Sequence, residues 1–340
     1  MTTEMTIEER TAAFARLGQR LRDTSEAVRH EWAARAKAEN GWFTEGNIAH
    51  AINGIAHLLR EKELRQWLGN YDFPAVRPRK VGVVMAGNIP AVGFHDFLCV
   101  LASGHILLAK PSSQDSVLLT EISRLLAETE PRFGECIRFA ERLNDAQAVI
   151  ATGGDNSARY FRHYFGHLPH IIRQNRTSCA VLTGAETAGE LLALGGDITQ
   201  YFGLGCRNVS KLHVPEGYDF GHFFRGIEPL SHLANNHKYA NNHNYQRAIF
   251  LLNQTPHLDN GFLILTESEA LVSPVAVLHY ERYSDIKELE GKIAASRQKI
   301  QCIVSGNGQY PGSIPFGNAQ CPAVWEYADG VDTMRFLLEL

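Results

Sequence analysis

The sequence predicts an α/β fold in which a parallel sheet, covered by helices on both faces, follows an N-terminal helical segment and leads into a second α/β region. From Lys80 onward, short β-branched runs alternate with Gly-marked turns and helix-length stretches, the pattern of parallel strands joined by crossover helices. Before that point apolar residues recur at helical spacing instead. With 340 residues, 44% hydrophobic and 21% charged, the chain is long enough for two packed domains or one large core.

Taken in order, Thr6-Ile-Glu-Glu9 has capping-box spacing ahead of a helix carrying Phe14, Leu17 and Leu21. A second helix is expected from about Ser25 to Ala38, ending at Asn40-Gly41, and a third from about Glu45 to Arg60. Pro74 and Pro78 mark the change of character. Val81 to Ala86 reads as a buried strand, Gly87 to Pro90 as a turn, and the next helix ends near Ser103-Gly104. A second strand, Ile106 to Ala109, closes at Lys110-Pro-Ser-Ser113, and Asp115 is placed to cap the following helix. Strands are expected at Cys136 to Ala140 and Ala148 to Thr152, the latter followed by Gly153-Gly154 and a helix from Ser157 to Tyr164. Beyond Ile171 the alternation resumes, with a strand near Ala180-Val-Leu182, a helix from about Glu186, and strands at Val209 to His213, Phe262 to Leu265, Val275 to His279 and Cys302 to Val304. Gly306 to Gly317 reads as loop.

Composition narrows the function. The 33 Lys+Arg against 37 Asp+Glu give a net −4, and no basic run is interleaved with aromatics, so nucleic acid is not an expected partner. The polar, acidic start leads us to expect no secretory signal. The apolar stretch from Ala91 to Leu108 is broken by His95, Asp96 and His105, so no membrane span is expected. The six cysteines, 99, 136, 179, 206, 302 and 321, contain no CxxC pair, which argues for a reducing cytoplasm rather than a disulfide framework or zinc ribbon. His232, His237 and His243 have spacings that do not share a helical face, so no metal site is assigned.

A turn after a parallel strand places its backbone N–H groups at the sheet's carboxyl edge, where ligands bind. No GxGxxG occurs, and Gly306-Asn-Gly308 lacks a strand-helix context. Local pattern therefore leaves the ligand open. It also leaves Asn88 readable as a turn former, Lys110 as a solvated strand end and Cys206 as a small buried apolar residue.

Several segments together resemble the aldehyde dehydrogenase superfamily: Val83-Val-Met-Ala-Gly-Asn-Ile-Pro90, Ala102-Ser-Gly-His-Ile-Leu-Leu-Ala-Lys-Pro111 and Thr152-Gly-Gly154. A closer resemblance, over roughly residues 75 to 340, is to fatty acyl-CoA reductases of the LuxC type. It rests on His170 to Ser178, Gly203-Leu-Gly-Cys-Arg-Asn-Val-Ser-Lys211, Lys238 to Tyr245 and Pro315 to Cys321. The resemblance implies a cofactor-binding parallel-sheet domain plus a catalytic α/β domain, meeting at the active site. The boundaries expected are 1–178 for helices and cofactor domain, 179–325 for the catalytic domain and 326–340 for a C-terminal segment.

It also implies an EC 1.2.1 oxidoreductase that reduces an acyl-CoA, or an acyl carrier's thioester, to a fatty aldehyde. Cys206 would be the nucleophile forming an acyl thioester, and Asn88 would donate to the oxyanion together with the Cys206 backbone N–H. Ala86, Gly87, Lys110, Ser112, Ser113, Thr152, Gly153 and Gly154 would bind the cofactor. The small hydroxyls beside Lys110 favour NADPH over NADH, and Gly153-Gly154 would lie by the pyrophosphate. Hydrolytic members carry a Glu upstream of the Cys, but the matching stretch here, Ile171-Ile-Arg-Gln-Asn175, has no carboxylate. That departure favours acyl-CoA chemistry over oxidation to free acid. The alternatives are a cysteine-dependent acyltransferase or thioesterase, or a non-catalytic member binding an acyl donor or partner. A homo-oligomer is expected from the resemblance.

Overall fold

A computed structural model describes residues 5–73 and 77–340, so Pro74 lies outside the described residues. The chain forms two compact units, residues 1–175 with 323–340, and residues 176–322. No helix among the described residues is long and apolar enough to cross a membrane.

The first unit opens with α1 (Ile7–Asp23), α2 (Glu26–Glu39), α3 (Glu45–Leu58) and α4 (Glu61–Leu68). The expected local signals are present: Thr6 and Glu9 form a reciprocal capping box, and the Ser25 side chain accepts from the Val28 N–H. Phe14, Leu17 and Leu21 of α1 and Ile48 and Ile52 of α3 are almost fully buried. The short α4, beyond the third helix expected to end near Arg60, contributes the fully buried Trp67.

Next come β1 (Lys80–Val84), α5 (Phe94–Ala102), β2 (Ile106–Lys110), α6 (Val117–Thr129), the four-residue α7 (Phe133–Cys136), β3 (Ile137–Phe139), β4 (Ala148–Thr152), α8 (Asp155–Phe165) and β5 (His170–Arg173). All five strands are parallel, in the order β3-β2-β1-β4-β5. The order reverses between β1 and β4, which opens a crevice outside their carboxyl ends. Val81, Val83, Leu107, Ala109, Ala148 and Ile150 belong to the same core as the N-terminal helices, α5 and α6. Leu108, Val149 and Ala151 are covered instead by Leu143 and Ala146 of the 140–147 connection and by Phe161 and Phe165 of α8. This alternation is the period-2 pleat with both faces dry.

The C-terminal α13 (Thr333–Leu338) belongs to this unit. His105 Nε2 lies 2.8 Å from the Leu337 carbonyl and His95 Nε2 lies 2.7 Å from that of Val324. Burial lowers the pKa of both imidazoles, keeping them in the neutral form that suits a buried hydrogen bond. Arg173, at the end of β5, is buried and donates to Asp96 of α5 (2.5 Å) and to Thr333 (2.8 Å).

The second unit contains β6 (Thr177–Val181), α9 (Ala188–Thr199), β7 (Val209–Pro215), α10 (Phe220–Ile227), α11 (His237–Leu252), β8 (Leu258–Asp259), β9 (Ile264–Glu267), β10 (Val277–Tyr283), α12 (Ile286–Ser296), β11 (Ile300–Ser305) and β12 (Ile314–Pro315). They form a seven-stranded sheet in the order β12-β11-β6-β7-β10-β9-β8, parallel except for the β8–β9 pair. The sheet is thus mixed. The segment from Gly306 to Gly317, expected as loop, contains the two-residue β12.

Two local expectations are corrected. Asp115 does not cap α6: Ser116 occupies the N-cap position without a side-chain cap, and the Glu39 carboxylate accepts from the Ser116 and Val117 N–H groups. A carboxylate from α2 thus does what a local side chain was expected to do. His170 to Arg173, not recognised as a strand, pairs with β4 at the sheet edge.

Removing one partner of a buried ion pair leaves the other charge desolvated, typically at a cost of about 3–5 kcal/mol. Asp96→Ala should destabilise the protein by that order in urea unfolding. The double variant Asp96→Leu/Arg173→Leu should recover most of the loss.

Candidate functional site

In the first unit, a cleft of about 790 Å³ lies at the carboxyl ends of the parallel strands. Six of the eight residues the resemblance assigns to the cofactor, Ala86, Lys110, Ser112, Ser113, Thr152 and Gly153, line it. Gly87 and Gly154 are not among its lining residues.

The β1 and β2 ends are joined beyond their ladder by the Met85 N–H, which donates to the Lys110 carbonyl (3.0 Å). Gly87 must be glycine, because a Cβ there would sit 2.6 Å from both Cβ and Oγ of Ser112. Its carbonyl accepts from the buried Asn40 side chain (3.0 Å). Asn88 follows and is exposed. The Lys110 ammonium donates to the carbonyl of Glu141, which also lines the cleft. Thr152 Oγ1 accepts from Arg173 (3.4 Å). At Gly153 the position of a Cβ is taken by Ser157 (2.9 Å) and Phe161 (3.0 Å), so this glycine is required by α8 itself. Gly154 is more open, with Asn175 as its nearest neighbour at 3.5 Å.

Sequence reasoning missed Phe139, Glu141, Ser157 and Phe161, which also line the cleft. No local signal marks them: Glu141 reaches the cleft because β3 pairs with β2, which sets the chain after Phe139 beside the end of β2. A neighbouring cavity of about 600 Å³ shares Val84, Lys110, Glu141 and Phe161 with the cleft and adds Tyr160 and Tyr164. Ile171 to Arg173 lie in β5, and Arg173 there is held by Asp96.

In the second unit, Cys206 sits on the turn between α9 and β7 and is exposed. The chain reverses through a left-handed run: Tyr201 (φ 53°), Phe202 (φ 58°) and Gly203 (φ 76°). Two buried aromatic residues in that region cost of order 1–3 kcal/mol each, so the surroundings must hold them. The ring of Phe202 lies 5.8 Å from that of Tyr239. Asn208 is the main tie: its Oδ1 accepts from the Gly205 N–H (2.7 Å), and its Nδ2 donates to the carbonyls of Asp197 (3.0 Å) and Gln200 (2.8 Å). The Cys206 carbonyl accepts from Ser178 Oγ (3.1 Å).

Arg207 Nε donates to the Ala319 carbonyl (2.5 Å). Asp197, nearly fully buried, accepts from the Gly317 and Ala319 N–H groups (2.7 and 3.0 Å). Burial pushes its carboxyl up to about 6 against the pull of those two amides. The segment Phe316 to Cys321 is thereby held beside the Cys206 turn. Lys211, the last residue of the Cys206 segment, is buried, pairs with Glu281, and donates to the Glu269 carbonyl (2.8 Å). Glu267 pairs weakly with Arg282 at 3.9 Å. Of the three histidines on and beside α11, His243 is buried against Asp259 (2.9 Å), and His232 lies 3.1 Å from the Pro229 carbonyl.

The other cysteines occupy different surroundings. Burial raises the thiols of Cys99 and Cys179, the latter to about 12, and less strongly those of Cys136 and Cys321. Cys302 is half-buried, with Sγ 3.1 Å from Ser178 Oγ.

Neither a protein-family model nor a curated protein sequence matches the chain. Solved structures do. Aldehyde dehydrogenase 21 from Physcomitrella patens, determined with its product succinate, superposes with a TM-score of 0.69 at 12% identity, covering 99% of this chain and 85% of that one. The aldehyde dehydrogenase KauB from Pseudomonas aeruginosa gives 0.65 at 14%, covering 88% and 72%. The NAD+ complex of an aldehyde dehydrogenase from Bacillus cereus gives 0.62 at 13%, covering 90% and 72%.

Two outcomes follow from the Cys206 turn. Asn208→Ala leaves the buried Gly205 N–H without its acceptor and should cost about 1–3 kcal/mol in thermal unfolding. Asp197 has a folded-state pKa raised from 3.8 to about 6, so its contribution to stability is full below the lower value and is lost as pH rises through the upper one. Asp197→Asn should abolish that decline in urea titrations run between the two values. The chain thus has the fold of the aldehyde dehydrogenases.

Proposed function

We propose that this chain is an acyl-CoA reductase that forms a fatty aldehyde through an acyl-Cys206 thioester, with NADPH as its cofactor. The reading is carried by an exposed cysteine on a turn preset by Asn208 and left-handed aromatic residues. It is supported by the fold and by a strand-end cleft lined by Lys110, Ser112 and Ser113.

Thiolate attack suits a thioester substrate, because the attacking and departing sulfurs have similar basicity. The Cys206 Sγ bonds to the acyl carbon, the bond from that carbon to the CoA sulfur breaks, and the proton of Cys206 leaves with CoA. The tetrahedral species carries an oxyanion that needs fixed donors. The Cys206 N–H and the Asn88 amide are the proposed pair. The turn's fixed backbone suits the first role, since a donor that is already oriented costs no reorganisation when charge develops.

The cleft fits a dinucleotide in its chemistry: backbone and small residues at Ala86, Ser112, Ser113 and Gly153, and a cation at Lys110. When bound, the nicotinamide supplies a hydride to the acyl carbon. The bond from that carbon to Cys206 Sγ then breaks, releasing aldehyde and regenerating the thiolate. The Ile171 to Asn175 stretch carries no carboxylate, so no base there activates water against the acyl-enzyme.

Intact mass after incubation with acyl-CoAs of graded length, without reductant, should show one acyl adduct on the wild type and none on Cys206→Ala. NADPH should discharge it as aldehyde. Asn88→Ala should lower turnover by about 10²–10³. Release of CoA without oxidation of NADPH for any chain length would instead identify an acyltransferase or thioesterase.

A further inference from the structure

Asp115 is almost fully buried, only a few residues beyond Lys110, yet it does not cap the helix it precedes. Its Oδ2 accepts from the Ala91 N–H at 2.7 Å, across the turn that carries Asn88. Ala91 has φ 54°, a conformation that a non-glycine residue holds only when its surroundings over-determine it. Burial pushes the carboxyl up to about 7, the Ala91 N–H pulls it down, and nearby Glu39 raises it again. The Val92 N–H adds a weaker downward pull, although Oδ1 has no hydrogen-bond partner of sound geometry. An acid kept in so unfavourable a place is holding something. The same two stretches also touch at Gly87 and Ser112, where no Cβ could be added to Gly87, and the Asp115 N–H donates to the Ser112 carbonyl (3.1 Å).

We propose that Asp115 is a positioning residue: by holding the Ala91 N–H it sets the Asn88 turn and fastens it to the Lys110–Asp115 loop of the cleft. The loop that contacts the cofactor and the turn that carries the oxyanion donor then move as one piece. Asp115 is not among the residues lining the cleft. This inference rests on the reading of Asn88 as an oxyanion donor.

The test is the single-turnover rate of Cys206 acylation by a fatty acyl-CoA, read by intact mass, together with hydrogen exchange of the peptide spanning residues 85–95. Asp115→Ala should slow acylation by about tenfold to a hundredfold, the scale of a misplaced catalytic group, without changing the half-saturating acyl-CoA concentration. It should also deprotect the 85–95 peptide. Asp115→Asn keeps a carbonyl oxygen for the Ala91 N–H and should restore both readouts. In an Asn88→Ala background, Asp115→Ala should add less than about twofold, because the two act through one donor. If Asp115→Ala does not fold, Asp115→Glu, which displaces the carboxylate by one methylene, should show the same slowing and deprotection. Wild-type acylation and protection in Asp115→Ala, or in Asp115→Glu where the alanine variant does not fold, or fully multiplicative effects with Asn88→Ala, would overturn the proposal. A wild-type rate for Asn88→Ala would sink the oxyanion reading alone, and exchange at 85–95 would still decide whether Asp115 holds the turn.

Discussion

Every backbone N–H and C=O taken out of water has to find a partner, and at the end of a parallel strand the ladder that supplied partners stops. In this protein the chain beyond those ends is held by a few buried polar side chains. Asn40 and Asp115 meet the Gly87 carbonyl and the Ala91 N–H. Asn208 and Ser178 meet the Gly205 N–H and the Cys206 carbonyl, while Asp197 meets Gly317 and Ala319. Both turns that carry the proposed reacting groups are tied this way, one by side chains distant in sequence and the other mainly by Asn208 close by.

Such fixing has an energetic cost that the surroundings bear. Ala91, Tyr201 and Phe202 sit in the left-handed region, and Asp115 and Asp197 are carboxyls buried enough that their protonated forms gain ground. Strain and desolvated charge at these points oppose folding. They are offset by cores such as the one built on Phe14, Ile52, Trp67 and Phe97, where apolar burial contributes about 25 cal/mol per Å². Stability made in the core permits geometry at the turns that local preference would reject.

The cysteines show how environment sorts identical groups. A thiolate is the reactive form, and desolvation opposes it at Cys99 and Cys179. Cys206 is exposed on a turn with a fixed backbone. Cys321 is also exposed, yet burial of its thiol and the neighbouring Asp197 charge raise its pKa. A count of cysteines could not have told these surroundings apart.

Much of the local structure was determined by the sequence alone, because its signals act over a few residues. Thr6 with Glu9, Ser25 before α2, the strand from Ala148 to Thr152 and the turn at Gly87 all appear where periodicity and capping place them. The set Ala86, Lys110, Ser112, Ser113, Thr152 and Gly153 was legible through motifs, and strand-end geometry gathers it into one cleft. Only the tertiary structure decided what Asp115 does, since a carboxylate before a helix looks the same whether it caps that helix or reaches Ala91. It also decided that Glu39 caps α6, that the edge strand His170–Arg173 forms, and that Glu141 reaches the cleft. The physical reason is common to all four: each depends on a partner far away in sequence, and distance along the chain carries no local signal of contact in space.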